Sequence, residues 1–249
     1  MNHQKKPVLI FLHGFLGEWD ELNFLKNYSL SFDIVGIPWG KLFLNNPDIS
    51  FLDLAIKIKA CCDLIKNRDC ILYGYSMGGR LAMQVISLYP DYFKGLILES
   101  AHCGFNSGFL RREQERFWEN KLVQFPKTST KEFIKEWYKQ SLFTKTAQKL
   151  SNTQWQHKYS YQIHDLLHMA VSLQTARHGY FIPTLHAWNK PILYLYGDDD
   201  SKYQAIANAE FKLLSHCKRV KINNADHNAH CCNKAQLSAE VNHFILNIS

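Results

Sequence analysis

Short, almost wholly apolar runs recur along the chain, separated by stretches whose apolar residues return every three or four positions. VLIFLH (8–13) and FDIVGI (32–37) are too short for a core helix and rich in β-branched and aromatic residues, so they predict strands. LDLAIKIKACCDLIK (52–66) follows with Leu54, Ile58, Cys61 and Ile65 on one face, the spacing of an amphipathic helix. Strand CILYG, helix MGGRLAMQVISLY and strand GLILES (95–100) continue the alternation. Strands apolar on both faces, with helices between them, predict a parallel sheet covered on both sides and joined by right-handed crossovers.

The rhythm breaks after Ala101. From about Gly104 to Leu185 the chain holds aromatic and charged residues at helical spacing (RREQERFWENKL, KEFIKEWYKQSLF, HDLLHMAVSLQTA) and no convincing strand. The concentration of Phe133, Trp137 and Tyr138 in this one insertion predicts a helical cap. The sheet pattern resumes with PILYLYGDDD (191–200), a helix near Tyr203 to Leu214, strand RVKIN (219–223) and a last helix from about Lys234 to Ile248. The predicted organisation is one α/β domain, its core formed by 1–103 and 186–249 and its cap by 104–185, without internal repeats.

A length of 249 residues suits one such domain with an insertion. No apolar run approaches the roughly 18 residues of a membrane span, and MNHQKKPVLIFLHG lacks the cleavage site of a signal peptide, so a cytoplasmic protein with no membrane partner is expected. Seven cysteines, an odd set at 61, 62, 70, 103, 217, 231 and 232, have no metal-ligand spacing and fit reduced thiols. His227, His230, Cys231 and Cys232 lie close together, but no second pair accompanies them, so no metal and no cofactor is expected. The net charge of +7 comes from scattered lysines; it permits an anionic substrate and supplies no nucleic-acid module.

GYSMGG (74–79) sits between an apolar strand and a helix, the context in which G-x-S-x-G makes a nucleophile elbow around Ser76. A serine nucleophile needs a base and an acid to orient it, and on α/β-hydrolase sheets these follow in the order acid, then histidine. Asp198, Asp199 or Asp200 after PILYLY, and His227 after RVKIN, occupy loops at the carboxyl edge of the sheet, where open parallel sheets build sites. HGF after the first strand and Met77 after the serine place the backbone N–H groups of Phe15 and Met77 as an oxyanion hole. Arg80, one turn after Ser76 on the same helix, can reach back toward the serine; it is either a carboxylate clamp or a surface ion-pair partner.

LHGFLG (12–17), GYSMGGRLAM (74–83), SAHCGF (100–105), RREQERFWENKL (111–122), EWYKQSLF (136–143), GDDDSKYQA (197–205) and ADHNAH (225–230) together resemble the 2-succinyl-6-hydroxy-2,4-cyclohexadiene-1-carboxylate synthase family of menaquinone biosynthesis. The resemblance runs over nearly the whole chain and implies an α/β-hydrolase fold working as a cofactor-free carbon–oxygen lyase, eliminating pyruvate from a small, multiply anionic cyclohexene carboxylate. It implies Ser76, Asp200 and His227 as the triad, the DSK motif selecting Asp200. It also implies Tyr75, Arg80, Arg111 and Trp137 as substrate contacts.

The chain departs from the family in four places. A further cap arginine is unmatched, with Lys158 or His157 nearest; HPG is HCG at Cys103; the glycine before the catalytic histidine is Asp226; and IPWGKL lacks the glycine-rich form. A lysine is a poorer bidentate partner than arginine, so Lys158 would hold a carboxylate less tightly. The rival readings are a serine carboxylesterase or carbon–carbon bond hydrolase with the same triad, and a ligand-binding protein without catalysis.

Overall fold

The computed structural model describes residues 5–29, 31–65, 68–124, 129–174 and 177–248, with the side chains of 121–124 outside the description. In chain order the elements are β1 (Val8–Leu12), β2 (Asp33–Ile37), α1 (Trp39–Leu44), α2 (Phe51–Cys62), β3 (Cys70–Tyr75), α3 (Met77–Leu88) and β4 (Phe93–Glu99). A helical stretch follows: α4 (Gly108–Gln124), α5 (Thr130–Tyr138), α6 (Thr144–Lys149), α7 (Asn152–Tyr159), α8 (Ile163–Ser172) and α9 (Ile182–Trp188). Then come β5 (Ile192–Gly197), α10 (Ser201–Ala209), β6 (Cys217–Ile222), α11 (Ala229–Cys232) and α12 (Lys234–Leu246).

The six strands are parallel, in the order β2-β1-β3-β4-β5-β6. Strand alternation sorts their side chains into two cores. Val8, Ile10, Leu12, Leu72, Leu96, Leu98 and Tyr194 pack on one face with residues of α1, α2 and α3; Leu9, Phe11, Ile71, Tyr73, Ile97 and Leu193 pack on the other with Leu22, Leu25 and α12. Burial on both sides is why β1, β3 and β5 are apolar throughout, whereas the edge strands β2 and β6 are partly exposed, β2 at Asp33 and Val35 and β6 at Lys218, Arg219 and Lys221.

The helix expected over Tyr203–Leu214 begins two residues earlier and is divided. Asp200 caps α10 by accepting the Tyr203 N–H at 3.2 Å, and a separate short turn covers Phe211–Leu213. The helix expected over 52–66 ends at Cys62, with a turn at Asp63 and Leu64, and 66 lies outside the described residues.

β1 is the topological switch point: the chain leaves it for β2 on one side and returns to β3 on the other. The loops after β1 and β3 therefore diverge at the carboxyl edge and open a crevice between them. The helices inserted between β4 and β5 cover this crevice and have a core of their own, with Phe133, Ile134, Tyr138, Phe143, Leu166 and Leu167 around Leu16. Two capping boxes mark helix starts there, Ser129 with Glu132 on α5 and Ser151 with Gln154 on α7.

Phe133 is 1 % exposed at the centre of this small core. Phe133→Ala is expected to lower unfolding stability by about 3–5 kcal/mol, measured by urea denaturation followed by tryptophan fluorescence.

Candidate active site

Ser76 joins β3 to α3 with φ 51° and ψ −111°, a strained geometry for a residue with a side chain. Close backbone packing enforces it. A Cβ on Gly74 would lie 2.4 Å from Gly79 Cα, and one on Gly78 would lie 2.1 Å from the Leu12 carbonyl oxygen, so neither position tolerates a side chain. The Ser76 N–H donates to the Glu99 carbonyl at 2.8 Å, which fixes the turn to β4 and leaves the hydroxyl in the crevice.

His227, in the loop after β6, brings Nε2 to 3.0 Å from Ser76 Oγ and Nδ1 to 2.9 Å from Asp200 Oδ2. A carboxylate only accepts, so Nδ1 carries the proton and Nε2 is free to accept from the serine hydroxyl. Both partners are shielded from water, His227 at 3 % and Asp200 at 0 % exposure. The three consecutive aspartates go separate ways. Asp198 accepts the N–H groups of Asn224 and Ala225 at 2.9 Å each, Asp199 pairs with Lys145, and Asp200 alone of the three bonds to His227. Tyr203, Phe143 and Tyr75 hold the imidazole with ring centroids at 4.6, 5.4 and 5.5 Å.

A cavity of about 450 Å³ opens over the serine. Ser76, His227, Phe15, Met77, Tyr75, Arg80 and Trp137 all line it. Met77 is the first residue of α3, so its N–H has no acceptor within the helix. Trp137 belongs to an aromatic wall, 4.8 Å from Phe15 and stacked on Trp118 at 6.4 Å. Lys202, Gln174, Gln114 and Gln140 also reach the cavity, and sequence reasoning did not single them out. Lys202 stood inside the DSK motif; the glutamines carried no signal of their own.

Arg80 is not a surface residue. It is 8 % exposed, donates to the Leu173 carbonyl, and no carboxylate lies within ion-pair distance among the described residues. Burial lowers its pKa to about 10, which leaves it charged at neutral pH. A charge taken out of water without a partner is costly. An anion in the cavity would supply that partner.

Arg111 and Lys158 do not line the cavity. Arg111 donates to the Phe105 carbonyl at 3.3 Å and its buried Nε has no partner; its helix reaches the cavity through Gln114, Phe117 and Trp118. Lys158 points toward the base of the inserted helices, donating to the Leu16 carbonyl with its ammonium 5.7 Å from the Tyr138 ring centre. Burial opposes its charge, and Tyr138 and Glu21 outweigh that, so its pKa stays raised. His157, the other residue near the unmatched arginine, pairs with Glu18 at 3.0 Å.

The model of the alpha/beta hydrolase fold matches residues 7–231, nearly the whole chain. The chain belongs to the α/β-hydrolase fold family. Among relatives of this α/β-hydrolase, the 2-succinyl-6-hydroxy-2,4-cyclohexadiene-1-carboxylate synthase of Photorhabdus laumondii is 27 % identical, over 98 % of this chain and 87 % of its own. The synthase of the same name from Klebsiella pneumoniae (strain 342) is 29 % identical over 94 % and 91 %. In structure the chain is similar to MenH from S. aureus, with a TM-score of 0.84, 22 % identity and coverage of 99 % and 96 %. It is also similar to a thermophilic esterase from Thermogutta terrifontis, at 0.71, 18 %, 98 % and 91 %. At these identities the two structural likenesses speak to the fold.

Two of the departures of this α/β-hydrolase from the synthase pattern, at IPWGKL and at Asp226, have structural uses. Trp39, the first residue of α1 in the IPWGKL stretch, stacks on His13 at 4.7 Å and donates its ring N–H to the His13 carbonyl at 2.9 Å, fixing the loop that carries Phe15. Asp226 ties the inserted helices to the histidine loop. Its Oδ2 accepts the N–H groups of Lys145 and Thr146 at 2.8 Å each, and its Oδ1 accepts the Thr146 hydroxyl at 2.5 Å. The next residue, His227, donates its own N–H to the Leu142 carbonyl at 3.0 Å.

A second histidine lies behind Tyr75. His230 is 2 % exposed, with Nδ1 at 2.8 Å from Glu99 and Nε2 at 3.5 Å from Glu21. Burial disfavours its charged form, but the two carboxylates outweigh burial and raise its pKa to about 9 from an ordinary 6.5. The protonated ring therefore contributes stability in full below pH 6.5 and loses it as pH rises through about 9. The stability difference between the wild type and His230→Asn is expected to be largest near pH 6 and to shrink steadily toward pH 9.5, measured by urea denaturation across that range.

Proposed function

We propose that this chain eliminates pyruvate from 2-succinyl-5-enolpyruvyl-6-hydroxy-3-cyclohexene-1-carboxylate to give 2-succinyl-6-hydroxy-2,4-cyclohexadiene-1-carboxylate, a carbon–oxygen lyase step of menaquinone biosynthesis. The observation that carries this reading is Arg80, a buried cation without a carboxylate partner among the described residues, on the wall of the cavity that holds the Ser76–His227–Asp200 relay. Neutral esters leave such a charge unanswered; a substrate with several carboxylates answers it. Relatives at 27–29 % identity that bear the synthase name support the same choice.

In this reading His227 takes the Ser76 hydroxyl proton, and Asp200 holds the imidazole in the tautomer that can do so. The serine oxygen removes the ring proton next to the succinyl carbonyl. Electrons move from that carbon through the ring double bond to the carbon bearing the ether. The carbon–oxygen bond breaks, and the departing enolate is protonated and becomes pyruvate. Negative charge developing on the succinyl oxygen falls to the Phe15 and Met77 N–H groups, each donor of this kind being worth about 3 kcal/mol. Arg80 holds a carboxylate so that the reacting carbon faces the serine, with Tyr75 and Trp137 against the ring. Arg111 joins the binding of a second carboxylate only if its side chain turns toward the cavity, and Lys158 acts indirectly by holding the Leu16 loop. No cofactor takes part.

Residues 104–185 serve as the cap over a core of 1–103 and 186–249, and the cytoplasm, where a small soluble acid is met, is the compartment. No helix among the described residues is long and apolar enough to cross a membrane.

The test compares diene absorbance and coupled pyruvate release from the enolpyruvyl substrate with turnover of neutral nitrophenyl esters. Acceleration of the elimination that Ser76→Ala abolishes supports the lyase; ester turnover without it assigns the chain to the hydrolases. Arg80→Ala is expected to slow the elimination on the order of 100-fold while changing ester cleavage only a few-fold. Equal losses on both would remove Arg80 from carboxylate binding.

A further inference from the structure

The relay has a mechanical difficulty. Ser76 follows β3, whereas His227 follows β6, three strands away in the sheet order. Among the described residues no backbone hydrogen bond joins 223–228 to β3 or β4; outside its own end of the chain this loop's backbone bonds run to Asp199, in the turn after β5, and to Leu142 in the inserted segment. Yet its histidine must meet the serine to within a few tenths of an ångström.

We infer that Glu99 and His230 form a positioning pair that sets the spacing between Ser76 and His227. Glu99 ends β4 and is wholly buried. Its backbone carbonyl accepts the Ser76 N–H at 2.8 Å, so it holds the serine turn directly. Its carboxylate faces the other way and holds the histidine loop: Oε1 accepts the His230 N–H at 3.0 Å and Oε2 accepts His230 Nδ1–H at 2.8 Å. The Tyr73 hydroxyl, from β3, donates to the same Oε2 at 2.6 Å and fixes the carboxylate's orientation. One residue thus reaches the serine through its backbone and the loop of His227 through its side chain.

His230 transmits the constraint by two routes. It stands three residues after His227 at the start of α11, so anchoring its backbone and ring anchors the loop just before it. Its ring also meets the edge of Tyr75 at 4.9 Å, and Tyr75 in turn packs against His227 at 5.5 Å. Glu21 faces the far nitrogen of His230 and completes a buried carboxylate–imidazolium–carboxylate row. A charge-assisted contact held by both oxygens is stiffer than one neutral hydrogen bond, which suits a spacer. Glu99 and His230 touch neither substrate nor the reacting atoms, so they are positioning residues. The inference rests on the relay of the proposed function and is independent of its substrate.

The experiment follows covalent labelling of Ser76 by a small neutral organophosphonate, which reads relay reactivity directly and leaves the lyase assignment to its own assay. Glu99→Gln, His230→Asn and the double variant are compared with the wild type for rate constant at saturating reagent, saturation constant and final labelled fraction. Each single variant is expected to label fully, with an unchanged saturation constant and a rate constant lower on the order of 10- to 100-fold. The double variant is expected to be no slower than the slower single one, because both remove the same link. A merely structural role would reduce the labelled fraction and leave the rate of the remainder untouched, and that outcome overturns the inference. Multiplying losses in the double variant overturn it as well. If Glu99→Gln does not fold, Tyr73→Phe is read instead: a several-fold slower label supports the spacer, and a wild-type rate overturns it.

Discussion

The contact on which the site depends is one of backbone against backbone, where the first turn of α3 lies on the end of β1. A side chain at Gly78 would overlap the Leu12 and His13 carbonyls, and with glycine there the helix start and the loop after β1 share one corner of the sheet. Ser76, Met77 and Phe15 then face a common space, and the strained serine backbone is the geometric result of that crowding. The chemistry of the cavity starts from a packing constraint that no polar interaction could replace. Strain of this kind persists only when the surroundings over-determine it, and here a parallel sheet with helices on both faces provides the rigidity.

Local pattern carried most of the fold. A strand buried on both faces must be apolar along its length, so β1, β3, β4 and β5 stood out as runs, and the elbow stood out because a strand, a glycine-flanked serine and a helix follow one another within a few residues. What pattern does not carry is the choice among equivalent neighbours. Asp198, Asp199 and Asp200 are chemically alike, and only the path of β6 and the start of α10 decide that one meets His227 while the others meet backbone N–H groups and Lys145. Lys158 or His157 stood nearest to the family's unmatched cap arginine; the packing of α7 turns Lys158 toward Leu16. Glu99 was hidden for a related reason, since an acid at the end of an apolar strand reads as an element boundary until a distant histidine is brought onto it.

The inserted helices are joined to the core on the histidine side, through Asp226 and the backbone of His227. Leu142 and Phe143, which line the cavity, are therefore tied to the loop that carries His227. Farther from this joint, α4 carries exposed Phe109 and Leu110.

Arg80 has a thermodynamic consequence beyond orientation. A buried guanidinium without a carboxylate partner among the described residues is a cost that a bound acid would offset. An acid bound there acts on folding as well as on the cavity, because whatever binds only the native chain shifts the unfolding equilibrium by mass action. Under the proposed function, the folded chain would then gain stability from the acid it acts on.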